Sequence, residues 1–185
     1  MNSGNRFGFK DQAIAQVTPK LILPDQKLDL RGHWIIEHYR NGKLLDEYLI
    51  HNDVVNVGKD DLLNKYFRNG TNPAAWYLML IDSSGFTAFA AGDTMSSHTG
   101  WNEFTSYSEG TRVAWGPDAA ASQALTNSTR ATFTITGSGT IKGVGVTTSS
   151  TKGGTAGTLW ATAAFTTAPP VENGDELKAT YNLSC

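Results

Sequence analysis

Residues 131–136, with the sequence ATFTIT, alternate apolar or small side chains with threonine. A two-residue period is typical of a half-buried β-strand, because successive side chains of a strand point to opposite faces of the sheet. Similar segments recur between glycine-rich turns through the second half of the chain, and we predict further strands at residues 111–115, 140–147, 158–165 and 175–183. WYLMLI at residues 76–81 is almost entirely apolar, which predicts a buried central strand. These patterns indicate a mainly β protein, an antiparallel β-sandwich or jelly-roll-like domain of roughly eight strands.

A β-hairpin is predicted at residues 33–50, where two strand-like runs flank Asn41 and Gly42. Asn-Gly between such runs is the strongest short hairpin signal, since both residues tolerate the positive φ of a type I′ turn. Simple pairing outward from this turn places Trp34 opposite Leu49.

One short helix is predicted at residues 59–68. Asp60 and Asp61 would lie in its first turn, where the helix dipole favours anions. Four residues at helical spacing would form its apolar face: Leu62, Leu63, Tyr66 and Phe67. The long connection at residues 83–110 contains so many apolar residues that we expect an ordered loop packed by its own side chains.

Residues 1–25 are predicted to form an extended N-terminal arm, followed by a single β-rich domain at residues 26–185. Pro19 and Pro24 disfavour a helix or a central strand in the arm. Spaced apolar residues are candidates for contacts with a neighbouring subunit: Phe7, Phe9, Ile14, Val17, Leu21 and Ile22. A disordered terminus is the alternative.

Composition restricts the partners that this protein can have. Of the 185 residues only 17% are charged and the net charge is −2, so no basic surface is available for nucleic acid. No apolar run is long enough to span a membrane, and the first residues do not resemble a signal peptide, so we expect synthesis in the cytoplasm of a host cell. Cys185 is the only cysteine, which excludes an intrachain disulfide and leaves an interchain one open.

The sequence contains no recognisable catalytic or metal-binding pattern. Its four histidines lack the spacing of a zinc site, and His33 and His38 should face opposite sides of their strand. Three carboxylates around the long loop, Asp82, Asp93 and Glu103, would be the candidates for a glycosidase, but we interpret them as loop residues. We therefore predict a non-enzymatic protein with no catalytic residue, metal or cofactor.

Several short motifs together resemble a family of small structural proteins of tailed bacteriophages. They are WYLMLI at 76–81, AGDTM at 91–95, HTGWNE at 98–103, YSE at 107–109, RVAW at 112–115, TTSSTKGG at 147–154 and NGD at 173–175. The resemblance covers about residues 50–185 and implies a virion component. The size and β-rich composition resemble capsid decoration, or cement, proteins.

The resemblance leads to the hypothesis of a decoration protein on the outer surface of a phage capsid. It would bridge neighbouring major capsid subunits, contact other copies of itself as a homo-oligomer on the lattice, and bind neither nucleic acid nor membrane. Two alternatives stay open: a tail or head–tail joining component, and a carbohydrate- or receptor-binding module of the virion. In the latter, three loop aromatics would contact the sugar: Trp101, Tyr107 and Trp115.

Overall fold

The computed structural model describes residues 29–185. Within them the chain forms eleven strands and one helix: β1 (Arg31–Arg40), β2 (Lys43–Val54), α1 (Asn56–Phe67), β3 (Trp76–Asp82), β4 (Glu103–Phe104), β5 (Val113–Trp115), β6 (Ala124–Leu125), β7 (Ala131–Thr134), β8 (Gly139–Thr147), β9 (Leu159–Ala164), β10 (Pro170–Val171) and β11 (Glu176–Ser184). The predicted arm and its six apolar residues lie outside the described residues, so the arm and the domain boundary at residue 26 stay predictions.

All eleven strands belong to one antiparallel sheet in the order β4-β3-β8-β9-β2-β1-β11-β6, with β5 beside β3, β7 beside β11 and β10 beside β8. The long strand β2 joins two halves of this sheet, because its body pairs with β1 while its end, Asp53 and Val54, pairs with β9. The predicted mainly β, antiparallel fold with one helix is therefore confirmed.

The two halves of the sheet share one hydrophobic core. Trp34 from β1 and Tyr181 from β11 belong to the same buried cluster as Leu78 from β3 and Val144 from β8. The Trp34 and Tyr181 rings lie 4.5 Å apart between centroids, and the Trp160 indole nitrogen donates to the Tyr181 hydroxyl at 3.2 Å. Burial raises the pKa of Tyr181 to about 12, so this hydroxyl keeps its proton and remains a neutral core group.

The β1–β2 hairpin has the predicted turn but a different register. Asn41 and Gly42 have φ values of 51° and 73°, as a type I′ turn requires. An irregularity between His38 and Tyr39 shifts the pairing, so that Trp34 faces Ile50. The predicted pairing of Trp34 with Leu49 is wrong because the bulge places one extra residue on β2.

Helix α1 begins at Asn56, earlier than the predicted residue 59, so Asp60 and Asp61 lie beyond its first turn. Gly58 is its buried residue, and a Cβ atom there would come within 2.6 Å of the Trp160 carbonyl oxygen of β9. The predicted apolar face is only partly covered, since Leu62 is half-buried whereas three of its members are exposed: Leu63, Tyr66 and Phe67. Gly58 in the first turn of α1 therefore lies directly against β9, Leu62 packs against the main core, and the apolar side chains nearer the end of the helix stay exposed.

The long connection at residues 83–110 is packed by its own side chains, as predicted. Met95 and Trp101 are buried in a second hydrophobic cluster together with Met79 of β3, and Phe86 and Phe89 pack against it. This cluster lies on the other face of β3 from Leu78 and Leu80, which belong to the main core.

Candidate functional site

The three aromatic residues that the sequence suggested for sugar contacts are interior residues in this structure. Trp101, Tyr107 and Trp115 have exposed fractions of 2%, 3% and 6%. Stacking on a sugar ring requires an open aromatic face, and these rings are covered by protein. They therefore belong to the packing of the fold in this conformation.

Each of these rings has a defined packing partner. Trp101 stacks on His98 at 3.7 Å between centroids, and its indole nitrogen donates to Asp93 at 2.9 Å. Trp115 donates to the Asn127 side-chain oxygen at 3.1 Å. Tyr107 lies edge-to-face on Phe133 at 5.1 Å.

Glu103 and Arg112 form a buried ion pair that fastens the 147–154 loop. The Arg112 guanidinium donates to both Glu103 carboxylate oxygens, at 3.0 and 2.8 Å, and to the backbone oxygens of Ser149 and Gly154 at 3.0 and 2.8 Å. The Gly153 amide also donates to Glu103, at 2.8 Å. Three of the motifs that carry the phage resemblance, at 98–103, 112–115 and 147–154, are therefore joined by this one network of hydrogen bonds.

Asp175 is the centre of a second buried charge cluster. Its carboxylate accepts hydrogen bonds from Arg40 at 2.7 and 2.9 Å and from the Glu172 amide at 2.8 Å, and it lies 2.8 Å from His38 Nε2. The hydrogen bonds from the Arg40 guanidinium are the main reason why the pKa of Asp175 lies well below its usual value near 3.8. This cluster ties the turn before β11 to the end of β1. His38 is buried and His33 is half-exposed, which confirms that they face opposite sides of β1.

The candidate carboxylates of the long loop are occupied by structural hydrogen bonds. Asp82 accepts from the Ser84 amide at 2.8 Å, Asp93 from Trp101 and from the Ala90 amide at 2.9 and 3.0 Å, and Glu103 binds Arg112. Within residues 29–185, no group of three or more histidine, cysteine or acidic side chains is arranged to hold a metal ion. The helix in the described part of the chain is not long and apolar enough to cross a membrane.

Two surfaces expose large apolar side chains. The hairpin surface comprises Leu44, Leu45 and Leu49 of β2, with exposed fractions of 51–63%. The helix surface comprises Leu63, Tyr66 and Phe67 of α1, with exposed fractions of 52–80%. On α1 the rings of Tyr66 and Phe67 contact each other, and grouped exposed apolar side chains of this kind are typical of surfaces that contact another protein.

Two clefts flank α1. The larger one, which we call the entry cleft, has a volume of about 530 Å³. It lies beside Leu62 and Leu63 and is also lined by Leu30, Val54 and Phe89. The smaller cleft, of about 370 Å³, lies between α1 and the sheet and is lined by apolar and aromatic residues together with a few polar ones: Leu62, Tyr66, Pro73, Trp76, Trp160, Leu183, Asp61, Lys65 and Asn72. Leu62 lines both clefts, so the helix stands between two partly apolar depressions. The sequence indicated the apolar character of α1, but only the structure shows that this face is uncovered.

Comparison with known proteins identifies the family. A protein-family model described as "Podophage GP4 fiber I protein gp80" matches residues 53–183, well over half of the chain. The matched region runs from the end of β2 almost to the end of β11 and includes α1 and both buried charge clusters except Arg40 and His38. No curated protein matches the sequence. The chain therefore belongs to the family of podophage GP4 fiber I protein gp80 and is a structural protein of a tailed-phage virion.

Proposed function

We propose that this protein is a non-enzymatic component of a podophage fibre, joined to other virion proteins and to copies of itself through its exposed apolar surfaces. The family match over residues 53–183 is the observation that carries this proposal, because the family is described as a fibre protein. Among the alternatives raised by the sequence, a tail component agrees with that description.

The geometry supports a binding role. Asp93, Glu103 and Asp175 are each held by structural hydrogen-bond donors, so their charge serves the fold. In contrast, Tyr66 and Phe67 make a T-shaped contact with each other at 5.0 Å and are otherwise largely exposed, at 80% and 74%. Exposed aromatic rings of this kind are favourable anchors for a protein partner, because they bury a large area with few rotatable bonds.

Capsid decoration is the second candidate, with the protein bridging major capsid subunits on the outer shell. It is favoured by the low charged fraction of 17%, which suits hydrogen-bonded packing against a protein lattice, and by the predicted N-terminal arm. Many weak contacts on one lattice would add avidity to modest individual affinities.

The two candidates are distinguished by locating the protein in the virion. Virions carrying a small epitope tag after Cys185 would be labelled with antibody-coated gold and imaged by electron microscopy. A fibre component places the label at the tail, in few copies, whereas label spread over the shell in many copies would refute the fibre role and support decoration. Particles lacking the protein provide the second readout. We expect them to adsorb poorly to cells while keeping normal heat resistance. Particles that adsorb normally but lose heat resistance would again support decoration.

The contribution of the helix surface to assembly is tested by the double substitution Tyr66→Ser and Phe67→Ser. Because both side chains are exposed, the free energy of unfolding of the isolated protein should change by less than about 1 kcal/mol. Incorporation into virions, measured by quantitative immunoblotting of purified particles, should fall at least about tenfold if these rings anchor a partner. The matched control is Asp60→Ser with Asn64→Ser, which changes two exposed polar residues of the same helix and should leave incorporation unchanged. Normal incorporation of the α1 variant would exclude the helix surface as an attachment site.

A further inference from the structure

Strand β2 is paired along its whole length on one side only. Residues 53–54 at its end pair with β9, whereas the preceding residues pair with β1 alone. In the part of the chain that the structure describes, residues 44–50 make no backbone hydrogen bond on the β9 side. A strand edge with unpaired N–H and C=O groups is a template for pairing with another strand. The body of β2 therefore offers a binding surface made of backbone groups.

These unpaired backbone groups of β2 point toward β9. The Val55 amide, just beyond the end of β2, donates to the Trp160 carbonyl of β9 at 3.1 Å. Backbone groups along a regular antiparallel strand alternate in direction, so Glu47 and Leu49 direct theirs to the same side as Val55. The Glu47 amide donates to the side chain of the adjacent Asp46 at 2.9 Å, which is a local substitute for a strand partner.

β2 and β9 separate beyond their two paired residues and form a fork. Continued in the same register, their pairing would bring residues 46–50 opposite residues 165–169. Pro169 and Pro170 have no N–H to donate, and the Pro169 carbonyl accepts from the Ile141 amide of β8 at 2.9 Å. The chain after β9 is therefore joined to β8, and the edge of β2 is left open.

The fork contains a cleft of about 390 Å³, which we call the fork cleft. It is lined by residues 46–50 of β2 and by residues 165–170. Five residues of an extended strand measure about 17 Å, so the mean cross-section of the fork cleft is about 23 Å². That area is close to a square whose side is the spacing of neighbouring strands, about 4.8 Å. The fork cleft therefore has the width of one extended strand.

The walls of the fork cleft favour a strand with apolar and basic side chains. Leu49 is 63% exposed, and Tyr48 packs edge-to-face on the buried ring of Phe165 at 5.2 Å between centroids. The side chains of Asp46 and Glu47 are exposed beside them, and their carboxylates would attract a lysine or an arginine of the added strand.

We propose that an extended segment of a different virion protein adds to the open edge of β2 inside the fork cleft. Main-chain hydrogen bonds supply affinity in this mode of binding, and alternate side chains supply specificity. A second copy is the less suitable partner, because its own β2 carries β1 beside it and the fork cleft has the width of one strand. The strand addition requires a neighbouring virion protein and is independent of a fibre or shell location.

Hydrogen exchange, measured by mass spectrometry on the isolated full-length protein and on intact virions, tests the backbone pairing. Amides of residues 44–50 that point away from β1 should exchange rapidly in the isolated protein, because they have no strand partner. Their exchange should be at least about tenfold slower in virions. The control is residues 31–36 of β1, which are paired on both sides and should be protected in both states. Equal exchange of residues 44–50 in the two states would overturn the proposal.

Photo-cross-linking in virions identifies the added strand. Benzoylphenylalanine would replace Glu47 or Leu49, which lie two residues apart and so share one face of β2. Because paired strands keep a fixed register, the two positions should cross-link about two residues apart on one segment of another virion protein. Thr155, exposed and outside the fork cleft, is the control position and should not reach that segment. Cross-links to a second copy, cross-links scattered over unrelated segments, or none at either position would each overturn the proposal.

Discussion

Two side-chain clusters, around Arg112 and around Asp175, join residues that are distant in sequence. Arg112 is 1% exposed and has hydrogen-bond partners on Glu103 and on two backbone carbonyls of the 147–154 loop. Desolvating both charges is costly, and the pair is maintained because the fork of the guanidinium matches the carboxylate and its remaining donors are satisfied. Removing one partner leaves the other charged and buried.

Arg112→Ala should lower the free energy of unfolding by about 3–5 kcal/mol, because Glu103 would keep a buried charge without its partner. Urea denaturation followed by tryptophan fluorescence measures this change. The control is Arg31→Ala, which removes an arginine from an exposed pair with Asp29, where a cost below about 1 kcal/mol is expected. Similar losses in the two variants would show that the buried pair has no special role.

Asp175 should make stability depend on acid pH. Its pKa is lower in the folded state than its usual value near 3.8, so ionised Asp175 stabilises the fold above that value, and the stabilisation is lost as the pH falls toward the folded-state pKa. We expect the free energy of unfolding to decrease between about pH 5 and pH 2 more steeply in the wild type than in Asp175→Asn. If the free energy of unfolding, measured by urea denaturation, changed with pH in parallel in the two proteins, this role of Asp175 would be contradicted.

At the scale of single elements, the hairpin and the helix show how local signals are modified by packing. The Asn41-Gly42 turn forms as its residue types predict, and yet the bulge near His38 changes which residues face each other across the hairpin. Helix α1 has apolar residues at helical spacing, and yet Leu62 is only half-buried against the core while Leu63 and Tyr66 are exposed. A local pattern thus specifies the type of an element better than it specifies which other elements that element contacts.

Gly42→Ala isolates the conformational cost of the hairpin turn. Gly42 has a φ of 73° and no atom lies within 4 Å of a Cβ added there, so the substitution brings backbone strain without a clash. We expect a loss of about 1 kcal/mol in the free energy of unfolding. Gly110→Ala is the matched control, because its added Cβ also meets open space and its φ is not in the left-handed region. Equal stability of the two variants in thermal denaturation would show that the turn tolerates the side chain.

At the scale of the whole molecule, the fold extends beyond the region that defines the family. The family match begins at residue 53, yet β1 lies between β2 and β11 in the sheet and contributes Trp34 and Ile36 to the core. Without β1, β11 would lose its pairing with β1 over residues 176–184 and keep only its short pairings with β7 and β6, and Tyr181 would lose its contact with Trp34. The hairpin is therefore an integral part of this domain.

A chain that begins at residue 53 should fail to fold, whereas a chain that begins at residue 29 should retain the fold. The reason is that the shorter chain exposes core residues of β11 and leaves the backbone groups of that strand unpaired on its β1 side. Cooperative thermal unfolding, measured by circular dichroism in the far and near ultraviolet, distinguishes the two chains. A cooperative transition in the shorter chain would show that the family region is an independent domain.

The sequence by itself determined the class of fold and much of its local structure. Alternation at residues 131–136 and the apolar run at 76–81 predicted β7 and β3, and the Asn41-Gly42 pair predicted the hairpin turn. Aromatic and apolar residues in the long loop predicted that it is ordered. These features depend on the periodicity, φ preferences and hydrophobicity of neighbouring residues, which are visible along the chain.

Only the tertiary structure decided which surfaces are free and which charges are joined. Trp101 and Tyr66 are both large aromatic residues, but one is 2% and the other 80% exposed, and neither value follows from the local sequence. Asp175 meets Arg40 across 135 positions of the chain because β1 and β11 are neighbours in the sheet. Burial and long-range pairing depend on how the strands are ordered, and a pattern within a few residues does not contain that order.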